Sequence, residues 1–208
     1  MGRGSLMSEI YVCRHGQTDM NLHGILQGRT DTKLNDEGRR QATAASDFMR
    51  KNGILIDEVL TSPLSRAVES AEIMTGIPRE NFTFEHALIE RGFGAWEGKS
   101  ISELPEKEKL IYETTTEAME LPGAETIDEL MERVKRYLSK IKSFSLLRDR
   151  NILLSTHGAV IHAVKCYLYD IPKEMFWSFS IRNCEILKMD IEKKTLLTVF
   201  PGFKGRTG

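Results

Sequence analysis

"YVCRHGQTDMN", residues 11–21, places an arginine, a histidine and a glycine directly behind the apolar, β-prone run "IYVC" (10–13). The arrangement returns far along the chain, where "NILLST" (151–156) runs into His157 and Gly158. In open α/β sheets ligands collect beyond the carboxyl ends of the strands, so two strands that each end on a histidine and a glycine can face one pocket. A lone histidine at such a place ordinarily hydrogen-bonds its own loop. The repetition argues for more.

Outward from this stretch, strand-like and helix-like patterns alternate. A helix is expected from about Asp36 to Lys51, a strand at "EVLTS" (58–62) and a helix from about Ser65 to Thr75. There follow "FTF" (82–84), a long amphipathic stretch from about Thr126 to Leu147, a short helix after Gly158, and the pair "CEILKMDI" and "TLLTVF". This order predicts an α/β fold, a three-layer αβα sandwich whose central sheet is mostly parallel, with the terminal pair antiparallel at an edge. Leu130, Val134, Leu138 and Ile141 recur at helical spacing and read as the core face of their helix.

The chain has 208 residues, 40% apolar and 28% charged, which suits one domain, expected over residues 8–200. Residues 1–7 read as a tag remnant or a flexible extension, residues 201–208 as a flexible tail, and the irregular segment 91–124 as a candidate lid. A net charge of -1 provides no global field for nucleic acid or an anionic membrane, so an anion must be gripped locally. Neither a membrane-length apolar run nor a signal-peptide core is present. Cys13, Cys166 and Cys184 are odd in number and set among apolar residues, as expected of reduced core thiols in a cytoplasmic protein. No nucleic-acid or membrane partner is expected, and the chain reads as a monomer or homodimer.

Arg66 falls in the first turn of its helix, where the helix dipole disfavours a cation, and an anionic ligand would resolve that conflict. With this residue, five blocks fall in order: "RHGQTDMN" with "LQGRTDTKLNDEGRRQA", then "TSPLSRAVESAEI", "LIERGFGAWEG", "PGAETIDELMERV" and "LLSTHGAVI". Together they resemble the histidine phosphatase superfamily, with its phosphoglycerate-mutase-like fold, over residues 9 to about 190. The resemblance is to the phosphatase branch, similar to α-ribazole phosphatase and broad-specificity phosphatases. It implies a transiently phosphorylated His15, a phosphate surrounded by Arg14, Arg66 and His157, and Glu90 as proton donor. It also implies a small phosphorylated substrate as the partner, with a substrate side lined by Asn21, Gln27 and Gly28, and requires no cofactor and no metal.

The residue types fit that chemistry. Arginine forms paired charge-assisted bonds to phosphate oxygens and keeps its proton, so Arg14 and Arg66 can stand in for a metal ion. His15 must attack through an unprotonated nitrogen, a form that the flanking arginines favour. Gly16 and Gly158 are expected to clear space for phosphate at the backbone, and Gln17 joins them as a substrate-side candidate. An alkoxide leaving group needs a proton, so Glu90 requires shielding, for which "FGAW" (93–96) is the candidate. Met20, Phe93, Trp96, Tyr112 and Met119 are candidates for specificity, with core or lid packing the alternative reading.

Competing motifs fail on spacing. "GAWEGKS" lacks one residue of a phosphate-cradling loop, and Glu97 would repel phosphate there. His157 and His162 are five apart, which does not suit two zinc ligands on one helix. A cysteine-dependent phosphatase would carry an arginine six positions after its nucleophile, and those positions hold Asp19, Pro172 and Asp190. Three functions stay open: a phosphatase of small metabolites, a 2,3-bisphosphoglycerate-dependent phosphoglycerate mutase, and a non-catalytic phosphate-binding module. Residues 99–125 hold seven glutamates, three lysines and no arginine, which disfavours the bisphosphate of a mutase.

Overall fold

The computed structural model describes residues 9–106, 123–143 and 150–204. Six strands make one sheet: β1 (Ile10–Arg14), β2 (Glu58–Thr61), β3 (Thr83–Phe84), β4 (Ile152–Thr156), β5 (Ile186–Asp190) and β6 (Thr195–Phe200), ordered β3-β2-β4-β1-β5-β6. The first four in that order are parallel, and β5 and β6 continue the sheet antiparallel. The helices are α1 (Asp19–Leu22), α2 (Asp36–Lys51), α3 (Ser65–Thr75), α4 (Ile127–Ser143) and α5 (Gly158–Tyr169). None of the described helices is long and apolar enough to cross a membrane.

Strand alternation sends neighbouring side chains to opposite faces, and the core divides accordingly. Ile10 and Val12 of β1 join Ile152 and Leu154 of β4 beneath α4 and α5, with Leu130, Val134 and Leu138 packed on them. Tyr11, Cys13 and Leu153 point the other way, onto Ala42, Ala45 and Met49 of α2 and Val68, Ala71 and Met74 of α3. This is the expected three-layer αβα sandwich. Truncating a fully buried core leucine such as Leu130 to alanine would remove about 2–5 kcal/mol. All three cysteines are buried and free.

Local signals explain the element ends. The Asn35 side chain accepts the Gly38 N–H at 2.8 Å and starts α2, while Gly76, at φ +71°, ends α3. Helix α1 has no counterpart in the sequence reading, because its four residues are held by a capping box between Thr18 and Asn21 rather than by an apolar face. The end of the expected helix at 144–147 lies outside the described residues.

Residues 201–204 depart from the flexible tail expected over 201–208, of which 205–208 lie outside the described residues. Phe203 exchanges backbone hydrogen bonds with Asn183 at 2.8 and 3.1 Å, and its ring packs on Phe200 at 5.8 Å, so apolar burial anchors it. In the candidate lid, Phe93, Trp96 and Leu104 cluster on Leu26, and Phe93 bridges to Ala124. Tyr112 and Met119 lie outside the described residues.

Candidate active site

The register of β1 against β4 pairs Cys13 with Ser155 and Arg14 with Thr156, so the next residues, His15 and His157, leave the sheet side by side. Their rings lie 5.1 Å apart. The His15 N–H still donates to the Thr156 carbonyl at 3.0 Å, and the Asn183 amide donates to the His15 carbonyl at 3.1 Å, which fixes the backbone under the ring.

The His15 ring is also fixed in tautomer. Its Nδ1 lies 2.7 Å from the Gly16 carbonyl, which can only accept, so Nδ1 carries the proton and Nε2 keeps a lone pair. Burial, with the Arg66 and Arg14 charges, holds the imidazole pKa well below its ordinary value. His157 is depressed likewise, by burial first and then by Arg66. Its Nε2 meets the Ser62 hydroxyl at 2.7 Å, and its Nδ1 is buried with no partner among the described residues.

Arg66 is fully buried in a cradle of main chain. Its Nη1 donates to the Thr30 carbonyl at 2.8 Å and its Nη2 to the Gly28 carbonyl at 2.7 Å. Burial lowers its pKa to about 10, against the pull of Glu90 and Asp31, and it stays charged at neutral pH. The conflict with the dipole of α3 has a local answer besides any ligand: the Asp31 carboxylate accepts the Ser65 N–H and the Ser65 hydroxyl, both at 2.7 Å. Arg14 donates from Nη1 to the Ile181 carbonyl at 2.6 Å.

Arg14, His15, Arg66, Glu90 and Gly158 wall a cavity of about 330 Å³, whereas His157, with its Nε2 on the Ser62 hydroxyl, is not among the lining residues. Burial raises the Glu90 carboxyl pKa, although the Arg91 N–H and the Arg66 and Arg14 charges pull the other way. Arg133 clamps the turn before Glu90 by donating to the carbonyls of Ala87 and Ile89 at 2.7 and 3.0 Å. Helix α5 starts at Gly158 with no side-chain cap, so its first N–H groups lend the cavity further positive potential.

Of the substrate-side candidates, Asn21, Gln27 and Gly28 line the cavity, but Gly16 and Gln17 do not. A Cβ on Gly16 would fall 2.5 Å from the Gly38 carbonyl oxygen, so glycine serves a crossing of two backbones rather than an approach of phosphate. Gln17 is turned to the start of α2, where its carbonyl accepts the Asn35 N–H and its side-chain oxygen the Asn35 amide. Phe93 lines the cavity, whereas Trp96 is core and Met20 is not among the lining residues.

The structure thus gathers a strand-end histidine with a fixed lone pair, two arginines and a shielded carboxyl group around one cavity. The model of the histidine phosphatase superfamily (branch 1) matches residues 10–200. The chain belongs to the histidine phosphatase superfamily. It is 32% identical over 197 residues to "Putative phosphoserine phosphatase 2" of Hydrogenobacter thermophilus, covering 92% of this chain and 94% of that protein. It is 28% identical over 194 residues to "Probable phosphoglycerate mutase GpmB" of Salmonella paratyphi B, covering 92% of this chain and 88% of that one. The fold resembles that of an Entamoeba histolytica phosphoserine phosphatase solved with 3-phosphoglyceric acid, with a TM-score of 0.78 at 23% identity over 95% of this chain and 98% of that one.

Within this superfamily site, some residues escape sequence reasoning. Ser62 holds His157, and its only signal is its place at the end of β2. Glu97 supports the cradle of Arg66. It accepts the N–H groups of Arg29 and Phe93 at 3.0 Å on one oxygen, and the Thr30 N–H and hydroxyl at 2.9 and 2.7 Å on the other. Gly28, at φ +52°, passes so close that a Cβ would sit 2.1 Å from the Glu97 oxygen. His162 joins the lining one helical turn beyond Gly158, a position that its five-residue distance from His157, read only against zinc binding, does not signal.

Proposed function

We propose that the chain is a metal-independent phosphatase that hydrolyses a small phosphomonoester through a phosphohistidine on His15. The observation that carries this reading is the donation of Nδ1 to the Gly16 carbonyl, which leaves Nε2 with a lone pair on a residue that shares its cavity with Arg14 and Arg66. Superfamily membership and the phosphatase-named relative support phosphatase activity.

In the proposed reaction Arg14, Arg66 and the first N–H groups of α5 bind the phosphate dianion, and His157, off the cavity wall but 5.1 Å from the His15 ring, backs the nucleophile. Nε2 of His15 forms a bond to phosphorus as the bond to the alcohol oxygen breaks, and Glu90 gives that oxygen its proton. The Glu90 carboxylate then takes a proton from water, whose oxygen attacks the phosphohistidine. Nε2 leaves, and inorganic phosphate, the alcohol and the starting enzyme result. Asn21, Gln27 and Gly28 face the alcohol part. The three buried free thiols fit a reducing, cytoplasmic setting.

Rapid quenching with labelled substrate tests the reading. Acid-labile phosphate should be trapped on the wild type and not on His15→Ala, and turnover should persist in excess EDTA. A His15→Ala variant with normal turnover would refute it. The mutase-named relative makes 3-phosphoglycerate the acceptor to add: label should pass to water, and its appearance in 2-phosphoglycerate or a bisphosphate at comparable rates would favour a mutase.

A further inference from the structure

The cavity is chemically two-sided. Among the described residues its charged lining side chains are Arg14, Arg66 and Glu90, all committed to phosphate and proton transfer in the reading above. The rest of the lining is neutral and largely apolar, including Ile25, Leu26, Ile101, Trp177 and His162.

His162 decides the character of this wall. Its ring is 5% exposed and packs within 5.5 Å of Phe176 and 5.2 Å of Trp177, with Phe179 at 6.2 Å. Lys165, the nearby cation, sits with its ammonium over the Phe179 ring at 5.3 Å. Burial and the Lys165 charge lower the His162 pKa to about 4, so the imidazole is an uncharged ring near neutral pH. A carboxylate or second phosphate against this wall would lose hydration and gain no cation among the described lining residues. A flat or branched apolar group would instead cover surface that water otherwise wets.

Given the phosphatase reading, on which this inference rests, we propose that the wall of His162, Trp177, Ile25, Leu26 and Ile101 completes, with Asn21, Gln27 and Gly28, the subsite for the alcohol part of the substrate. It selects phosphomonoesters of uncharged alcohols that carry an apolar or planar group. Phosphoserine and 3-phosphoglycerate, the compounds in the names of similar proteins, each carry a carboxylate and fall outside this class.

Two measurements separate this subsite from the reaction. The first needs no turnover: calorimetric Kd values of phenethylphosphonate and 3-phosphonopropanoate on the wild type. Phenethylphosphonate should bind at least about 10-fold more tightly. The second compares kcat/KM for 2-phenylethyl phosphate and 3-phosphoglycerate on wild type, His162→Lys and His162→Gln. The wild type should favour the phenylethyl ester by at least about 30-fold, chiefly through KM; lysine should shift the ratio toward 3-phosphoglycerate by at least about 10-fold, and glutamine should keep the preference. Equal or reversed Kd values on the wild type overturn the proposal even if neither variant folds, as does a folded His162→Lys with an unmoved ratio. If the Kd preference holds while no ester is hydrolysed, the phosphatase reading fails and the subsite stands.

Discussion

Glu97→Gln tests whether the arginine cradle depends on a carboxylate that touches no substrate. Each Glu97 oxygen takes two donors, so an amide in either orientation sets an NH2 group against at least one backbone N–H and forfeits two bonds to a charged acceptor. Such bonds contribute about 1.5–3 kcal/mol each when sheltered. Most of these are solvent-exposed, so their joint loss is discounted to about 2 kcal/mol. Gly28 and Thr30 lie beside these bonds, and their carbonyls hold Arg66. At 1.36 kcal/mol per tenfold, kcat/KM should fall about 10- to 30-fold. The inhibition constant of inorganic phosphate should rise by a similar factor, because Arg66 grips phosphate in substrate and product alike. Thermal unfolding should move by only about 4–8 °C for such a loss in a chain of this length. A folded variant within twofold of wild-type kcat/KM would refute the linkage. So would a large loss with unchanged phosphate inhibition.

Glu90→Gln should lose far more rate on an alkyl phosphate than on p-nitrophenyl phosphate, whose leaving group departs without a proton; equal losses would reassign Glu90 to positioning. At ordinary pKa values a neutral histidine and a protonated glutamate coexist in under about 1% of molecules, but here the histidine is lowered and the glutamate raised, each toward the form the reaction needs. The acid limb of kcat/KM should therefore fall below the ordinary histidine range, where His15 gains its proton. The alkaline limb should fall above the ordinary carboxylate range, where Glu90 loses its own; limbs at the ordinary values in a pH–rate profile would contradict this. Gly16→Ala, with its methyl driven into the Gly38 carbonyl, should cost about 1–3 kcal/mol, and an unchanged melting temperature would show that the crossing yields.

Much of the fold was legible because its helices carry both a face and a terminus signal. Helices α2 and α3 span the residues read from the sequence, and β1, β4 and β6 agree within one residue. Helix α1 was not legible, since four residues tied by one capping box leave no period. At the site, the two strand-end histidines stood out by repetition, and Arg66 by its misfit with a helix dipole. The partners that set their chemistry did not. Gly28 and Thr30 act through main-chain oxygens that any residue possesses, Glu97 acts across a long gap in sequence, and the tautomer of His15 is set by the carbonyl of the next residue. Gly16 was noticed for a reason that proved different, because a glycine announces a close approach without naming what approaches.

The register that seats His15 beside His157 also dictates when the site can form. Ile10 pairs with Ile152 on one side and with Met189 on the other, so both neighbours of β1 are made last. As the chain leaves the ribosome, β1 waits with two unsatisfied edges through most of synthesis, and the sheet closes by contacts of long sequence separation, which slow folding. Until β4 arrives, "IYVC" is an apolar strand open to wrong partners, and chaperone demand should be greatest in that interval. Catalytic competence therefore belongs to the end of folding, when the last third of the chain slides in around the first strand.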